Sequence, residues 1–365
     1  MQSSVSPRLE VHLGDVTANS ARLVERCAAR SISVMGITKG LAGSPLLAQA
    51  MIDGGVSGLG DSGLANIDAT RAGGVWASTT LIRTPSRSQI DQLAVSDLAS
   101  YQSDIETLSL LSAACVVAGQ RHAVMLMVEL GDLRDGIMPD DVVAHARHVR
   151  DLEHLDLRGL GANFGCQSGT IPDDRSLNVL SELAATIEAE LSIAVPVVSG
   201  GNSSNLDWLR LTADVGRVNE LRLGEAIILG RNPSTRLPVA GLSTEAVVFV
   251  AEVLESKRKP RRPWGPTGYT AIGRAEPGAS VESADQPGDE NDLEWHTVLA
   301  AGHQDTDPSG LTPIDDVLLV GASSDHLIIR SRRRIAPGSE MRFLPDYGAM
   351  ARAAIAPSVT MLAIP

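Results

Sequence analysis

A lysine closes the apolar run in "VMGITKGLAG", between Thr38 and Gly40, in a chain that otherwise relies on arginine. The sequence holds three lysines, Lys39, Lys257 and Lys259, so 28 of its 31 basic residues are arginine. Arginine keeps its proton at any working pH. A desolvated lysine can lose it, and only lysine condenses with a carbonyl to form a Schiff base. A charged group at the end of an apolar strand is costly unless it has a task. The alternative is a lysine snorkelling at a strand end, which arginine would do equally well. Lys257 and Lys259 lie in "ESKRKPRRP" and read as a solvated basic loop.

The second chemical signal is "VVSGGNSSN", residues 197–205, followed by "RLGEAIILG", residues 222–230. Small residues let a backbone approach an anion, and hydroxyls and amides supply hydrogen bonds to it. The pair suits the phosphate site made by the last two loops of a (β/α)8 barrel. Either motif alone is an ordinary glycine-rich βα turn. A lysine after the first strand, combined with an anion cradle after the seventh and eighth, points to pyridoxal 5′-phosphate (PLP), whose aldehyde needs an amine.

These groups need a scaffold that brings strand ends together, and residues 31–232 read as one. Eight β-rich runs alternate with helical spacing: "ISVMGIT", "VSGLGDS", "STTLIRT", "DLASYQS", "AVMLMVEL", "LRGLGANF", "AVPVVSG" and "NELRLGEA". Between them, "SPLLAQAMIDGG" opens on Ser44, a good N-cap, and "DRSLNVLSELAATIEAEL" has helical periodicity. The helical "DVTANSARLVERCAAR" precedes the first run. The expected fold is α/β, a (β/α)8 TIM-like barrel over residues 1–232 with a C-terminal β-rich domain over 233–365. In the second domain "STEAVVFVAEVLES" and "DVLLVGASSDHLIIRS" are strand-like, and the acidic "SVESADQPGDENDLEW" reads as an exposed loop.

Composition narrows the partners. A net charge of −13 argues against a nucleic-acid backbone and accords with a cationic small molecule. Aromatic residues make up 3% of the chain, so the core is expected to be Ala, Val, Leu and Ile. Cys27, Cys115 and Cys166 show no CxxC spacing, so neither a metal site nor a disulfide framework is indicated. The N-terminus lacks the pattern of a secretion signal and no apolar run reaches membrane length, so a cytoplasmic protein is expected.

With these motifs in place, the chain resembles the fold-type III PLP enzymes, the alanine racemase group, and within it the alanine/ornithine racemase branch. The resemblance runs from "PRLEVHLGDVTANSARL" to "PDYGAMARAAIAPSV". It implies a racemase that interconverts L- and D-amino acids, of a basic, ornithine-like or small kind, by removing and returning the Cα proton. "TKGLAGSPLLAQAMIDGG" then carries the Schiff-base lysine, Lys39, which is also the base on one face. "GGNSS" puts Asn202 and Ser203 at the cofactor, with Ser203 on the phosphate. "LRLGEA" puts Arg222 against the pyridine nitrogen and assigns the backbone N–H groups of Gly224 and Glu225 to the phosphate. "PDYGAM" nominates the Tyr347 hydroxyl for the same phosphate. The resemblance further implies a head-to-tail homodimer in which "VGASSDHLII" reaches the partner's site, so that Ser324 and Asp325 border the substrate. "ELGDLRDGI" offers Arg134 near the cofactor's phenolic oxygen; its other reading is a surface arginine paired with Asp132 or Asp135.

Departures from the family pattern leave alternatives open. Tyr269 in "PTGYTAIG" aligns with the second proton-transfer tyrosine, or is an exposed loop residue. The histidine that stacks on the cofactor is replaced in "GANFGC" by Asn163 and Phe164, and a tyrosine four residues after the lysine by Gly43. His303, Asp305 and His326 are further polar candidates, or turn and strand-edge residues. Two other functions are weighed: a PLP lyase of the same fold, either decarboxylase or aldolase, and a non-catalytic PLP-binding homeostasis protein. The absence of any cysteine after Cys166 counts against a metal-dependent aldolase, and the residues beyond 232 count against the single-domain carrier.

Overall fold

The computed structural model describes residues 6–261 and 293–365. They form two compact units, one of Leu13–Thr244 and one of the described residues up to His12 with those from Glu245 on. A first strand, β1 (Arg8–His12), runs into helix Leu13–Ala28, which buries Val16, Leu23 and Cys27 along one stripe. The eight runs expected as barrel strands are strands. They are β2 (Ser33–Ile37), β3 (Gly58–Asp61), β4 (Thr79–Leu81), β5 (Ala99–Gln102), β6 (His122–Val128), β7 (Leu155–Ala162), β8 (Val197–Ser199) and β9 (Glu220–Leu223). They pair in parallel, in chain order, and β9 returns to β2 to close the barrel. Helix Pro45–Asp53 starts after Ser44 and stops at Gly54, and helix Asp174–Leu191 covers the residues its periodicity marks. The carboxylate of Asp173 caps the latter, accepting from the Ser176 N–H at 2.8 Å.

The barrel centre departs from the aliphatic core that composition suggests. Tyr101, Met125 and Met127 form a buried cluster there, with Ile82 and Val197 against it. Gly161 makes the room: a Cβ on it would lie 2.5 Å from Cε1 of the Tyr101 ring. One large ring therefore takes the place of several branched side chains.

The other unit is a largely antiparallel sheet. Its strands are β10 (Val247–Pro260), β11 (Leu293–Leu299), β12 (Leu311–Pro313), β13 (Leu318–Ala322), β14 (Leu327–Ser331), β15 (Glu340–Pro345) and β16 (Thr360–Ile364). They run in the order β12-β15-β10-β11-β14-β13, and β1 pairs with both β10 and β16. The division of the chain thus differs from 1–232 and 233–365 in two respects. β1 belongs to the C-terminal sheet through its long-range pairing. Residues up to Thr244 stay with the barrel because the Asn19 amide donates to Ile227 O and Ser243 O and its carbonyl accepts from the Ser243 N–H. "VLLVGASSDHLIIRS" is likewise a hairpin, β13 and β14 with a turn between them, where sequence texture suggests one strand. Among the described residues no helix is long and apolar enough to cross a membrane.

Candidate active site at the C-terminal mouth of the barrel

Lys39 leaves the end of β2 in a single 3-10 turn, Lys39–Leu41, and is half-buried. Its ammonium has no hydrogen-bond or ion-pair partner among the described residues. Burial pushes it below its ordinary value; the charges of Arg134 and Arg222 push the same way, and Cys166 and Asp61 oppose them. An amine in this state is more often uncharged, hence nucleophilic, than a solvated lysine. Gly43, four residues on, stands at φ +68°, and a Cβ there would fall 2.4 Å from Asn66 O. Asn66, in helix Leu64–Ala72, fills the space that a side chain at this position would need.

Asp61 and Glu129, which sequence reasoning passed over, and Asp132, which it weighed only as a partner of Arg134, shape the loops around Lys39. Asp61 ends β3, is 1% exposed, and accepts from Thr38 Oγ1 at 2.7 Å, from the Gly63 N–H at 2.9 Å and from Asn66 Nδ2 at 3.0 Å. Glu129 follows β6 and accepts from the N–H groups of Gly131, Leu133 and Arg134. Asp132 Oδ1 accepts three backbone N–H groups, from Cys166, Gln167 and Ser168, at 3.0 to 3.1 Å. It binds the loop after β6 to the loop after β7. The signal available in the sequence is the one that singles out Lys39, a charged group ending an apolar strand, and it applies equally to Asp61 and Glu129.

Arg222, on β9, is 3% exposed, and its two terminal nitrogens are fully used. Nη1 donates to Ser199 Oγ at 2.6 Å and Tyr101 Oη at 3.1 Å; Nη2 donates to Asn163 Oδ1 at 2.8 Å and to Ala162 O. The Tyr101 ring centroid lies 5.0 Å from its Cζ. Three neighbouring strands and the loop after β7 thus fix one guanidinium whose acceptors are all neutral. Asn163, expected in the place of a stacking histidine, has its carbonyl on Arg222, and Phe164 is a core residue, 1% exposed.

The loops after β8 and β9 meet through Ser203, whose Oγ accepts the Ala226 N–H at 3.1 Å. Asn202 caps the turn Ser203–Asn205: Oδ1 accepts the Ser204 N–H at 2.8 Å while Nδ2 donates to Phe164 O at 2.7 Å. Gly224 precedes helix Glu225–Leu229, and the Glu225 carboxylate pairs with Arg236 at 3.3 Å. Arg134 pairs with Asp135 at 2.5 Å, so the ion-pair reading of the sequence is present together with its field on Lys39. Lys39, Arg134, Asn202, Ser203, Arg222, Gly224 and Glu225 therefore all belong to the strand ends and loops of one barrel face.

The remaining candidates lie elsewhere. Ser324 and Asp325 are exposed in the turn between β13 and β14, and Asp325 Oδ1 accepts from Ser323 Oγ at 3.0 Å and lies 3.0 Å from His326 Nδ1. The hydrogen bond from Ser323 and the neighbouring imidazole hold the Asp325 carboxyl below its ordinary value. The His303 N–H donates to Ser323 O at 3.0 Å, making it a turn residue, and Asp305 is 3% exposed with both carboxylate oxygens engaged, by Gly302 N–H and Ser358 Oγ. Tyr347 opens helix Tyr347–Ile355 behind its N-cap, Asp346. Tyr269 falls outside the described residues.

A family model described as "Alanine racemase, N-terminal domain" matches residues 11–232, the barrel that carries this cluster. The chain belongs to this family. Within reach of its sequence are a lysine racemase from Thermotoga maritima, 29% identical over 97% of this chain and 98% of that one, and an ornithine racemase from Acetoanaerobium sticklandii, 27% identical over 94% and 96%. Among solved structures, the alanine racemase from Streptomyces coelicolor A3(2) superposes with a TM-score of 0.72 at 19% identity, covering 98% of this chain and 97% of that one. The family resemblance carried by "TKGLAG", "GGNSS" and "LRLGEA" is borne out, as is the barrel with a C-terminal β-rich unit.

Proposed function

We propose that this chain is a PLP-dependent amino-acid racemase whose substrate is a basic amino acid of the ornithine and lysine kind. The observation that carries it is the half-buried Lys39 amine at the mouth of the barrel, which has no partner among the described residues. Its surroundings fit the cofactor: an amine pushed toward its uncharged form, a preset arginine on β9, and small hydroxyl-bearing loops after β8 and β9. The basic substrate follows the two relatives above, which act on lysine and ornithine by name.

When bound, PLP supplies a sink for the electron pair left at Cα. The residues of the chain do the rest. Lys39 Nζ would tether the cofactor and, when free of that tether, would take or return the Cα proton on one face. With Nη1 and Nη2 held by the protein, the Nε–H of Arg222 is the donor that would face the ring nitrogen, and an arginine there would favour an unprotonated nitrogen and a weak sink. That favours return of the proton over diversion into transamination. Ser203 and the N–H groups of Gly224 and Glu225 would hold the phosphate, Asn202 would keep that loop in shape, and the family resemblance adds the Tyr347 hydroxyl. Arg134 would face the phenolic oxygen. Ser324 and Asp325, with Tyr269 as the proton carrier for the opposite face, come from the second subunit of a head-to-tail homodimer. The three cysteines are free thiols, which suits a reducing cytoplasm.

The decisive measurement is solvent-deuterium incorporation at Cα over a panel of single-enantiomer amino acids. Ornithine and lysine should racemise with label wash-in at matching rates. Release of CO₂, or cleavage between Cα and Cβ, would refute a racemase. Full activity in a monomer, measured by light scattering alongside turnover, would refute the shared site.

A further inference from the structure

Glu220 and Arg222 are two residues apart on β9, so both side chains project to the same side of the strand. Arg222 serves the C-terminal mouth. Glu220 lines a cavity of about 240 Å³ at the opposite end, among the starts of the barrel strands. Barrel interiors are normally filled by layers of side chains. Here Ser33, Ser57, Gly58 and Ser78 stand at the starts of β2, β3 and β4 and leave the space open, with Tyr101 as its inner wall. The volume suits a small organic molecule better than one water.

Two charges line this space and do not pair with each other. Glu220 Oε1 is buried and accepts no hydrogen bond, and among the described residues Glu220 has no partner. Arg158, on β7, lines the same cavity and has no partner among the described residues either. A buried carboxylate oxygen left unpaired calls for a cationic donor. An unpaired guanidinium presents a fork that matches a carboxylate. A phosphate ester would meet Glu220 with like charge, and a plain amine would leave Arg158 unused. One ligand class satisfies both, a zwitterion.

We infer that the N-terminal mouth of the barrel is a second binding site, for a free α-amino acid, with the ammonium on Glu220 and the carboxylate on Arg158. Its inner wall is the ring whose hydroxyl accepts from Arg222 Nη1 at 3.1 Å, so occupancy reaches the guanidinium at the other mouth through Tyr101. The binding step stands on the cavity alone; its regulatory meaning rests on the racemase reading.

The test uses the holoenzyme after borohydride treatment, which fixes PLP on Lys39 and closes that site to incoming amines. Isothermal titration with L-ornithine should show one molecule bound per chain. Glu220→Gln and Arg158→Gln should each weaken that binding by at least about tenfold, the size expected for losing one charged hydrogen bond. Arg158 is exposed, so its variant reads the site even if Glu220→Gln folds poorly. 1,4-Diaminobutane, which is ornithine without its carboxylate, should not bind. No heat at millimolar ornithine, unchanged binding in the Arg158→Gln protein, or equal binding of the diamine would each overturn the inference. Intact mass after borohydride keeps the two ideas apart: a missing PLP adduct refutes the cofactor reading, and the same titration still reads the cavity.

Discussion

The two mouths of the barrel treat charge in opposite ways, and β9 shows it within three residues. Arg222 is surrounded by acceptors from β5, β7, the loop after it and β8, all in place before any ligand arrives. Glu220 has a buried oxygen that nothing in the described chain addresses. Preset dipoles around a fixed charge are what a site of chemistry needs, because no reorganisation is then left for the reaction to drive. An unanswered charge beside a cavity is what a site of binding leaves for its ligand. The C-terminal mouth is thus built to act and the N-terminal mouth to receive.

The largest effect should come from Lys39→Arg, which keeps the charge and removes the amine chemistry. Turnover should fall at least about a thousandfold, about 4 kcal/mol in the barrier, and the protein should lose its borohydride-reducible PLP adduct. An adduct that persists, mapped by peptide mass, would move the anchor to another amine. Arg222→Lys comes next. A lysine cannot reach Ser199, Asn163, Ala162 and Tyr101 together, so the preset fork is lost while the charge stays. We expect kcat/KM to drop about a hundredfold, near 3 kcal/mol, with PLP lost on dialysis. Wild-type kcat/KM would mean that only the charge matters, and the contrast with Glu220 would lose its basis.

Much of the acting mouth is legible in the sequence. β-rich runs alternate with helical spacing, and each barrel strand is local enough to be marked by its own residues. Lys39 stands out because lysine is scarce and strand ends are where charge needs a reason. What is not legible is long-range. "RLEVH" belongs to the C-terminal sheet only because β10 and β16 bracket it, about 240 and 350 residues away, which local periodicity cannot report. The loop-tying parts of Asp61, Glu129 and Asp132 depend on backbone N–H groups that any residue type can offer. The receiving mouth is fainter still. Ser33, Ser57 and Ser78 are unremarkable singly and make a cavity only once the barrel closes, and Tyr101 reads as one aromatic in a strand. The turn "SSDH" carries a signal of its own, since serine and aspartate clusters favour turns, and it breaks the run into β13 and β14.

Acid should distinguish the barrel's framework from its active mouth. His122 begins β6 and is 1% exposed; among the described residues its side chain bonds only Ser100 Oγ, at 2.9 Å, and its buried Nδ1 has no partner. Burial holds its imidazole down at about 4, against an ordinary 6.5. The folded chain therefore refuses a proton that the unfolded chain accepts. Stability present above pH 6.5 is lost as pH falls toward 4, by up to about 3 kcal/mol. Urea unfolding at stepped pH should show this slope, and His122→Gln should flatten it. An unchanged slope in the variant would assign the acid sensitivity to other groups.

The smallest effect belongs to the residue that stands in both halves of the comparison. Tyr101→Phe keeps the ring that walls the cavity and removes only the oxygen that accepts from Arg222. Arg222 retains its acceptors on Ser199, Ala162 and Asn163, so the stability cost should be about 1 kcal/mol and turnover should change only severalfold. Burial pushes the Tyr101 phenol above its ordinary value, so no titration of this group complicates the comparison near neutrality. The informative readout is coupling. In the wild-type holoenzyme, ornithine concentrations that fill the second site should shift the turnover rate beyond simple saturation. In Tyr101→Phe, ornithine should still bind the borohydride-treated protein with wild-type affinity, while that departure from saturation disappears. A departure that survives the substitution would mean that the two mouths communicate along the β9 backbone from Glu220 to Arg222, with the ring between them as packing alone.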